Sequence, residues 1–249
     1  MTTDTRSDTR NPVALVLGAG DAIGSAIAKQ FAATGMTVCM TRRDASKLAP
    51  LVDELKAQGQ EAHAFTSDAR DEDQVVELFR TITTDIGPLG AVVFNIGANV
   101  PMSILDTSSR KFRKIWEMAC FAGFLNGREA AKYMVEQGHG TILFTGATAS
   151  IRGGSVFAAF ASAKHGLRAL AQSMARELGP KNIHVGHVVI DAMVDTAWIN
   201  DNFGDAVEAA GPDGIVNPDH LAKNYVMLHQ QPRDSWTFEL DARPWVEKW

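Results

Sequence analysis

Three glycines near the start of the chain have the spacing of a turn that holds a phosphate. Gly18, Gly20 and Gly24 follow the apolar run Val13–Leu17 and precede apolar residues at helical spacing. Glycine permits a sharp turn, and it lets a helix pack closely on a strand while leaving room for a pyrophosphate. The N–H groups and the positive dipole end of that helix would then face the anion. The pattern also occurs as an ordinary tight turn, but its place between a strand and a helix favours a nucleotide.

Two arginines, Arg42 and Arg43, follow the second predicted strand, residues 36–41. In dinucleotide-binding folds, an acidic residue at this strand end holds the ribose hydroxyls of adenosine, whereas arginine accommodates a 2′-phosphate. A solvent-exposed pair of arginines without a ligand is the alternative. The position favours NADP(H) over NAD(H) as the cofactor.

The elements that would position these residues alternate along the chain, because apolar runs typical of strands are separated by segments at helical spacing. This order predicts a single-domain, doubly wound α/β Rossmann fold with a mostly parallel sheet of about seven strands. Strands are predicted at 13–17, 36–41, 61–66, 91–94, 182–190 and 235–240, and helices at 46–58, 71–86, 109–137 and 218–230, with a strand, a loop and a long helix within 141–178. A methyltransferase-like or a flavodoxin-like domain would share this fold class.

Composition narrows the classes of function. A length of 249 residues with 45% apolar content suits one domain, here 13–249, behind a disordered tail at 1–12. The net charge of -5 argues against nucleic acid and acidic membranes as partners, so a small-molecule substrate is favoured. Cys39 and Cys120 are expected to be core residues in a reducing compartment. The polar start and the absence of an apolar run of roughly 18 residues predict a cytoplasmic protein, and no metal-ligand spacing occurs.

The first turn resembles that of the short-chain dehydrogenase/reductase family. Gly18, Ile23 and Gly24 match the family's GxxxGIG pattern, whose middle glycine is Ala22 here, one methyl larger. Further motifs follow in the family's order and spacing over residues 13–241. The resemblance implies that the turn contacts the cofactor through Gly18, Gly20, Asp21, Ala22, Ile23 and Gly24.

The same resemblance assigns roles after the third and fourth strands. Asp68 would accept a hydrogen bond from the adenine amino group, and Ala69 would contribute its backbone. Asp68 could instead cap the next helix, although Asp71 is better placed to do so. The family's NNAG motif is FNIG here, in which Asn95 would brace the centre of the sheet and Gly97 would allow close approach of the cofactor ribose.

The family's catalytic motifs are only partly present. Its YxxxK motif places two side chains on one helix face, and here it begins with Phe160 and ends with Lys164. Ala147, thirteen residues before Phe160, stands where the family has serine, and Cys120 stands where it often has asparagine. The resemblance implies that Lys164 holds the nicotinamide ribose and is the remaining catalytic residue, while a solvated lysine is the alternative. The substrate pocket is predicted from Cys120, Ala147, Ala149 and Phe160.

Towards the carboxyl end, Thr196 matches the residue that binds the nicotinamide carboxamide, although Asp191 and Ala192 depart from the Pro-Gly that usually precedes it. Residues 197–218 would form a substrate lid, predicted as a mobile loop with a short helix. The basic pair after the second strand, together with Lys164 and Thr196, argues against the methyltransferase-like and flavodoxin-like alternatives.

These features lead to two hypotheses about function. One is an NADPH-dependent oxidoreductase that transfers hydride to a small organic carbonyl, imine or activated C=C substrate at an atypical site. The other is a catalytically silent NADP(H)-binding pseudoenzyme of the same fold. The helix at 109–137 is apolar almost all round, which predicts a homodimer or homotetramer unless the helix is covered within the monomer. The tryptophan-rich ending DARPWVEKW suits a subunit interface or packing on its own domain equally well.

Overall fold

The computed structural model describes residues 9–20 and 22–248, and seven strands within these ranges form one parallel sheet. The strands are β1 (Val13–Leu17), β2 (Thr37–Arg42), β3 (Ala62–Thr66), β4 (Leu89–Phe94), β5 (Gly140–Thr145), β6 (Ile183–Ile190) and β7 (Glu239–Ala242). Their order across the sheet is β3-β2-β1-β4-β5-β6-β7, and every adjacent pair is parallel. The prediction of a single-domain, doubly wound α/β fold is confirmed.

Helices cover both faces of the sheet. They are α1 (Ile23–Ala33), α2 (Ala49–Ala57), α3 (Glu72–Thr81), α4 (Ser109–Trp116), α5 (Ala122–Gln137), α6 (Ala158–Leu178), α7 (Ala197–Ala210) and α8 (Pro218–His229). Helices α1, α2 and α8 pack on one face, and α3, α5 and α6 pack on the other. No helix in the described part of the chain is long and apolar enough to cross a membrane.

The central strands β1 and β4 are continuous apolar runs because both of their faces are buried. All five residues of β1 and all eight of β6 are buried. Along β1, Val16 packs towards α1 and α8, whereas Leu15 packs towards α3, α5 and α6. This two-sided burial is typical of parallel sheets whose crossover helices lie on both faces. It fixes the strand ends, and therefore the loops that follow them, at one edge of the sheet.

The helix predicted at 109–137 is interrupted. A π-helical turn, Glu117–Phe121, separates α4 from α5 and contains Cys120. The predicted cap of the third helix is confirmed, because the Asp71 side chain accepts a hydrogen bond from the N–H of Gln74 at 3.1 Å.

Two predictions near the carboxyl end need correction. The strand predicted at 235–240 is found at β7, because the Gln231 side chain bonds the N–H and hydroxyl of Thr237 and folds residues 231–237 back on themselves. The region 197–218, predicted as a mobile loop with a short helix, holds the 14-residue helix α7 instead. Thr196 caps this helix, its geometry breaks at Phe203, and none of its residues is buried.

The predicted tail at 1–12 lies mostly outside the described residues. Within the described part, the Arg10 guanidinium donates to the carbonyl oxygens of Thr83 and Thr84, and the N–H of Thr37 donates to the carbonyl oxygen of Pro12. These contacts hold residues 10–12 against the domain.

Candidate cofactor and substrate site

The glycine turn after β1 is packed too tightly for side chains at two of its positions. A Cβ at Gly18, whose φ is +82°, would lie 2.7 Å from Ile96 Cγ1, and a Cβ at Gly24 would lie 2.6 Å from the carbonyl oxygen of Gly18. A Cβ at Gly20 would meet nothing within 4 Å, so the turn is tightly packed at Gly18 and Gly24 and open at Gly20. This open side, at the start of α1, fits a pyrophosphate. Asp21, also predicted to contact the cofactor, lies outside the described residues.

Asn95 and Gly97 lie beside this turn, at the end of β4. The Asn95 side chain donates to the carbonyl oxygen of Gly18 at 3.2 Å, and its backbone N–H donates to that of Leu17 at 2.9 Å. A Cβ at Gly97 would meet nothing within 4 Å. The structure thus shows Asn95 bracing the turn across β1 and β4, with open space next to it.

Four cationic side chains line the cavity at the ends of β2 and β3: Arg42, Arg43, Lys47 and Arg70. Arg43 and Lys47 are exposed, and Arg42 is half-buried at the end of β2. Lys47 was not predicted, because its place in the cavity depends on the turn that follows β2 rather than on a motif. A ligand phosphate entering this cavity would meet positive charge from several directions.

Asp68 and Ala69 line the same cavity. The Asp68 carboxylate accepts hydrogen bonds from Arg70 Nε at 2.9 Å and from Arg70 Nη2 at 2.5 Å. The Arg70 side chain therefore holds the pKa of Asp68 below its usual value. A carboxylate fixed in this way keeps acceptor capacity for a further donor, such as an amino group.

Lys164 is buried in the wall of the cavity beside the glycine turn, the cofactor cleft, with only 3% of its surface exposed. Its ammonium donates to the carbonyl oxygens of Thr145 at 2.8 Å and Ile96 at 3.3 Å, which leaves one N–H for a ligand. Burial lowers the pKa of Lys164 to about 8. The alternative of a solvated lysine is wrong. The Phe160 ring, one turn earlier on α6, has its centroid 5.9 Å from Lys164 Nζ.

A single cavity brings the residues of the glycine turn together with those predicted on the nicotinamide side. Its walls include Gly18, Gly20, Ala22, Ile23, Gly24, Asn95, Gly97, Ala147, Phe160, Lys164 and Thr196. The Thr196 hydroxyl accepts from the N–H of Ile199 at 3.1 Å and keeps its own proton for donation.

Three hydroxyl groups at and just after the end of β5 contact partners in the protein. Thr145 Oγ1 lies 2.8 Å from the hydroxyl oxygen of Tyr225, and Thr148 Oγ1 donates to Asp191 Oδ1 at 2.5 Å. Ser150 Oγ accepts from the N–H of Ala147 at 3.1 Å.

Cys120 is close to Lys164 but packs behind the cleft. Gly166 has no Cβ, which lets α6 approach the Cys120 sulfur; a Cβ there would lie 2.9 Å from Sγ. Burial raises the pKa of the thiol, while the charge of Lys164 acts in the opposite direction. Cys120 therefore belongs to the apolar cluster with Phe160, rather than to the cavity walls where the sequence placed it.

A second cavity of about 380 Å³ adjoins the first on the substrate side, a size that suits a small organic molecule. Its apolar walls include the predicted residues Ala147, Ala149 and Phe160, together with Phe157, Ile190 and Ala192. Its polar groups are Asn99, Thr148 and Arg152. Sequence reasoning missed Asn99 and Arg152. The only signal for Arg152 was a lone charge beside two glycines.

Comparisons with known proteins agree with this architecture. A family model described as short chain dehydrogenase matches residues 12–205. A short-chain dehydrogenase/reductase from Armillaria gallica is 32% identical over 176 residues, which cover 70% of this chain and 67% of that protein. A crystal structure of a short-chain dehydrogenase from Rhodopseudomonas palustris is 51% identical, with a TM-score of 0.82, and the match covers 95% of this chain and 100% of that one.

A further solved structure, a metagenomic short-chain oxidoreductase in complex with NADP, is similar at 24% identity and a TM-score of 0.81. That match covers 96% of this chain and 99% of the other, and at this identity it shows the fold alone. The family match over most of the chain and the fold together give one conclusion. The chain belongs to the short-chain dehydrogenase/reductase family.

Proposed function

We propose that the protein is an NADPH-dependent oxidoreductase that transfers hydride to a small organic carbonyl, imine or activated C=C substrate. The observation that carries the proposal is the position of Lys164. Its ammonium is held by two backbone carbonyl groups on the wall of a cavity that also contains the open glycine turn and Thr196. A buried lysine without a ligand would be a costly feature in a purely structural domain.

The choice of NADP(H) over NAD(H) is supported by Arg42, Arg43 and Lys47 around one cavity. These side chains can make charge-assisted hydrogen bonds to a 2′-phosphate that a bare ribose cannot accept. The Asp44 carboxylate, which lines the same cavity, accepts from the N–H and hydroxyl of Ser46. The proposal would be contradicted if Arg42→Asp combined with Arg43→Ala left the cofactor preference unchanged.

Each part of the cleft has a proposed role towards the cofactor. The glycine turn, Gly18 to Gly24, would hold the pyrophosphate, and Asp68 and Ala69 would hold the adenine. The nicotinamide ribose is held by Lys164 near Asn95 and Gly97, and its carboxamide accepts from the Thr196 hydroxyl. When bound, the reduced nicotinamide supplies the hydride.

Proton supply is the atypical part of the proposed reaction. Phe160 and Ala147 take the positions of the family's tyrosine and serine. The Thr145 and Thr148 hydroxyls are hydrogen-bonded to Tyr225 and Asp191, and Ser150 is fully buried and lines neither cavity. Lys164 is then the group on this cavity that can place a positive charge and a proton near the reacting atoms. Substrates that need little acid assistance, such as an iminium ion or an activated C=C bond, suit this site best.

The second candidate function is a pseudoenzyme that binds NADP(H) without turnover. The observation in its favour is that the apolar groups of Phe160 and Ala147 face the cavity where a donor would be needed. General acid catalysis is typically worth about 10²–10⁴-fold, so its loss could silence simple ketone reduction.

The test is a screen of NADPH oxidation against ketones, imines and enones, run beside a fluorescence titration of NADPH. Binding with turnover of an imine or enone, lost in Lys164→Met, is the expected result. Binding without turnover of any class would favour the pseudoenzyme. Failure to bind NADPH would refute both proposals.

We also propose a homodimer or homotetramer and a cytoplasmic location. The rings of Trp116, Phe121 and Phe124 contact one another in series along the outer side of α4 and α5, and those of Trp116 and Phe124 are more than a third exposed. Covering such a face would remove apolar surface from water. Light scattering should show an oligomer that Phe124→Asp weakens, and a monomeric wild type would contradict the proposal.

A further inference from the structure

Arg152 stands out on the substrate-side cavity. Among the described residues that line this cavity, it is the one cationic side chain, and the walls are otherwise mostly apolar. It lies in the exposed loop between β5 and α6, and its side chain is 47% exposed. A guanidinium on the rim of an apolar cavity is a potential anion-binding group.

The Arg152 guanidinium has donors to spare. Nη2 lies 3.2 Å from Asp191 Oδ1 and 3.2 Å from Glu247 Oε1. The other two nitrogens, Nε and Nη1, have no hydrogen-bond partner within the described ranges 9–20 and 22–248. Since guanidinium carries five N–H donors, most of its hydrogen-bonding capacity is available to a ligand.

Asp191 contacts two groups besides Arg152, one of which, Arg243, also pairs with Asp241. Thr148 Oγ1 donates to it at 2.5 Å, and Arg243 Nη2 lies 3.5 Å from its Oδ2. The Arg243 side chain is 13% exposed, so it is the more buried cation at this carboxylate. Arg152 is therefore an additional cation that faces the cavity.

Glu247 is the competing anion. Its side chain is 30% exposed, and it meets Arg152 through a single contact. Partly exposed ion pairs of this kind contribute little to stability, so a ligand carboxylate can replace Glu247 at small cost.

The cavity that Arg152 lines continues into the cofactor cleft. Ala147, Phe160, Ile190 and Ala192 form walls of both cavities. A molecule held at Arg152 therefore extends along an apolar surface towards the place beside Lys164 where the reducible group would lie. The geometry selects a small molecule with an apolar body and an anion at one end.

We propose that Arg152 binds a carboxylate of the substrate, which makes the substrate a small unsaturated, imino or oxo carboxylic acid. A planar carboxylate matches the parallel N–H donors of a guanidinium edge. The assignment rests on the proposed function for the identity of the ligand as substrate, but the anion site is testable without turnover.

The test measures, by calorimetry, the binding of unreactive ligands to the cofactor-free protein. Benzoate and cyclohexanecarboxylate are matched with benzamide as the neutral isostere and with phenyl phosphate as another anion. Benzoate is expected to bind at least about tenfold more tightly than benzamide. Arg152→Gln should remove this difference, Arg152→Lys should restore part of it, and Glu247→Gln should tighten benzoate binding by removing the competitor.

Three outcomes would overturn the proposal. They are equal binding of benzoate and benzamide, benzoate binding that survives Arg152→Gln, and no detectable binding of any carboxylate. Tighter binding of phenyl phosphate than of benzoate would overturn the choice of carboxylate. Thermal melting of each variant checks folding, and an NADPH titration in the same samples separates failure of the cofactor proposal from failure of this one.

Discussion

Adding the hydroxyl that Phe160 lacks should create a proton donor in the cleft. Phe160 is 7% exposed, lies on the walls of both cavities, and has its ring centroid 5.9 Å from the Lys164 ammonium. In Phe160→Tyr the new phenol would lie near this positive charge, which favours its ionised form. Because Ala147 also lines both cavities, Ala147→Ser would add a second donor towards the same space.

The size of the expected gain follows from the role of a general acid. Such a group typically contributes about 10²–10⁴-fold, which corresponds to roughly 3–5 kcal/mol of barrier. The double variant should therefore reduce activated ketones at least about a hundredfold faster than the wild type. The two changes should be more than additive because both donors serve one oxygen atom.

The assay is NADPH oxidation with a series of activated ketones, measured as kcat/KM for the wild type, both single variants and the double variant. Phe157→Tyr is the matched control, since it adds the same hydroxyl to the substrate-side cavity away from Lys164. A hydroxyl without a partner could cost about 1–3 kcal/mol of stability, so melting curves accompany the rates. A folded, NADPH-binding double variant without gain, or an equal gain in the control, would refute the reasoning.

Four further predictions rest on the same structure. Arg43→Ala should weaken NADPH binding by about tenfold and leave NADH binding unchanged, as measured by fluorescence titration. Turnover should fall as pH rises through about 8, where buried Lys164 loses its proton. The pKa of Lys164 is about 8 in the folded chain and 10.5 in the unfolded chain, so between these pH values the unfolded chain holds more protons. The unfolding free energy of the wild type should therefore rise with pH over this range relative to that of Lys164→Met. Urea titrations would measure this rise. Gly146→Ala should destabilise the fold by about 1–3 kcal/mol in urea titrations, because its Cβ would lie 2.4 Å from His187 Nε2, whereas Gly179→Ala, with nothing within 4 Å, is the neutral control.

The sequence was sufficient for the sheet because its signals are local. β1 is an unbroken apolar run, and β6 is apolar apart from His184, Gly186 and His187. The glycine turn and Lys164 are recognised by their spacing in the sequence. The position of β7 could not be predicted in this way. It depends on the pairing of Glu239 with His187 across the sheet, and on the Arg168 guanidinium that donates to the same carboxylate from α6.

The chemistry of the site was harder to predict, because it depends on contacts between distant parts of the chain. The Thr145 hydroxyl is hydrogen-bonded to the hydroxyl of Tyr225, which lies 80 residues further along the chain. Arg152 reaches the cavity wall only through the path of its loop, and Cys120 is drawn behind the cleft by the space that Gly166 leaves. Residue type and spacing alone do not predict these contacts.

The strand order has a consequence for how the chain is assembled during its synthesis. After β4, each new strand pairs with the strand made just before it, so the sheet grows along one edge. Until β7 docks, that edge is β6, whose eight buried residues would present unpaired backbone groups and apolar surface to other chains. β7 is only four residues long and none of them is fully buried. A chain released by the ribosome before Glu239 would retain the whole cofactor cleft but would expose the edge of β6. Such truncated chains should aggregate. The short last strand therefore protects the finished sheet from pairing with other chains.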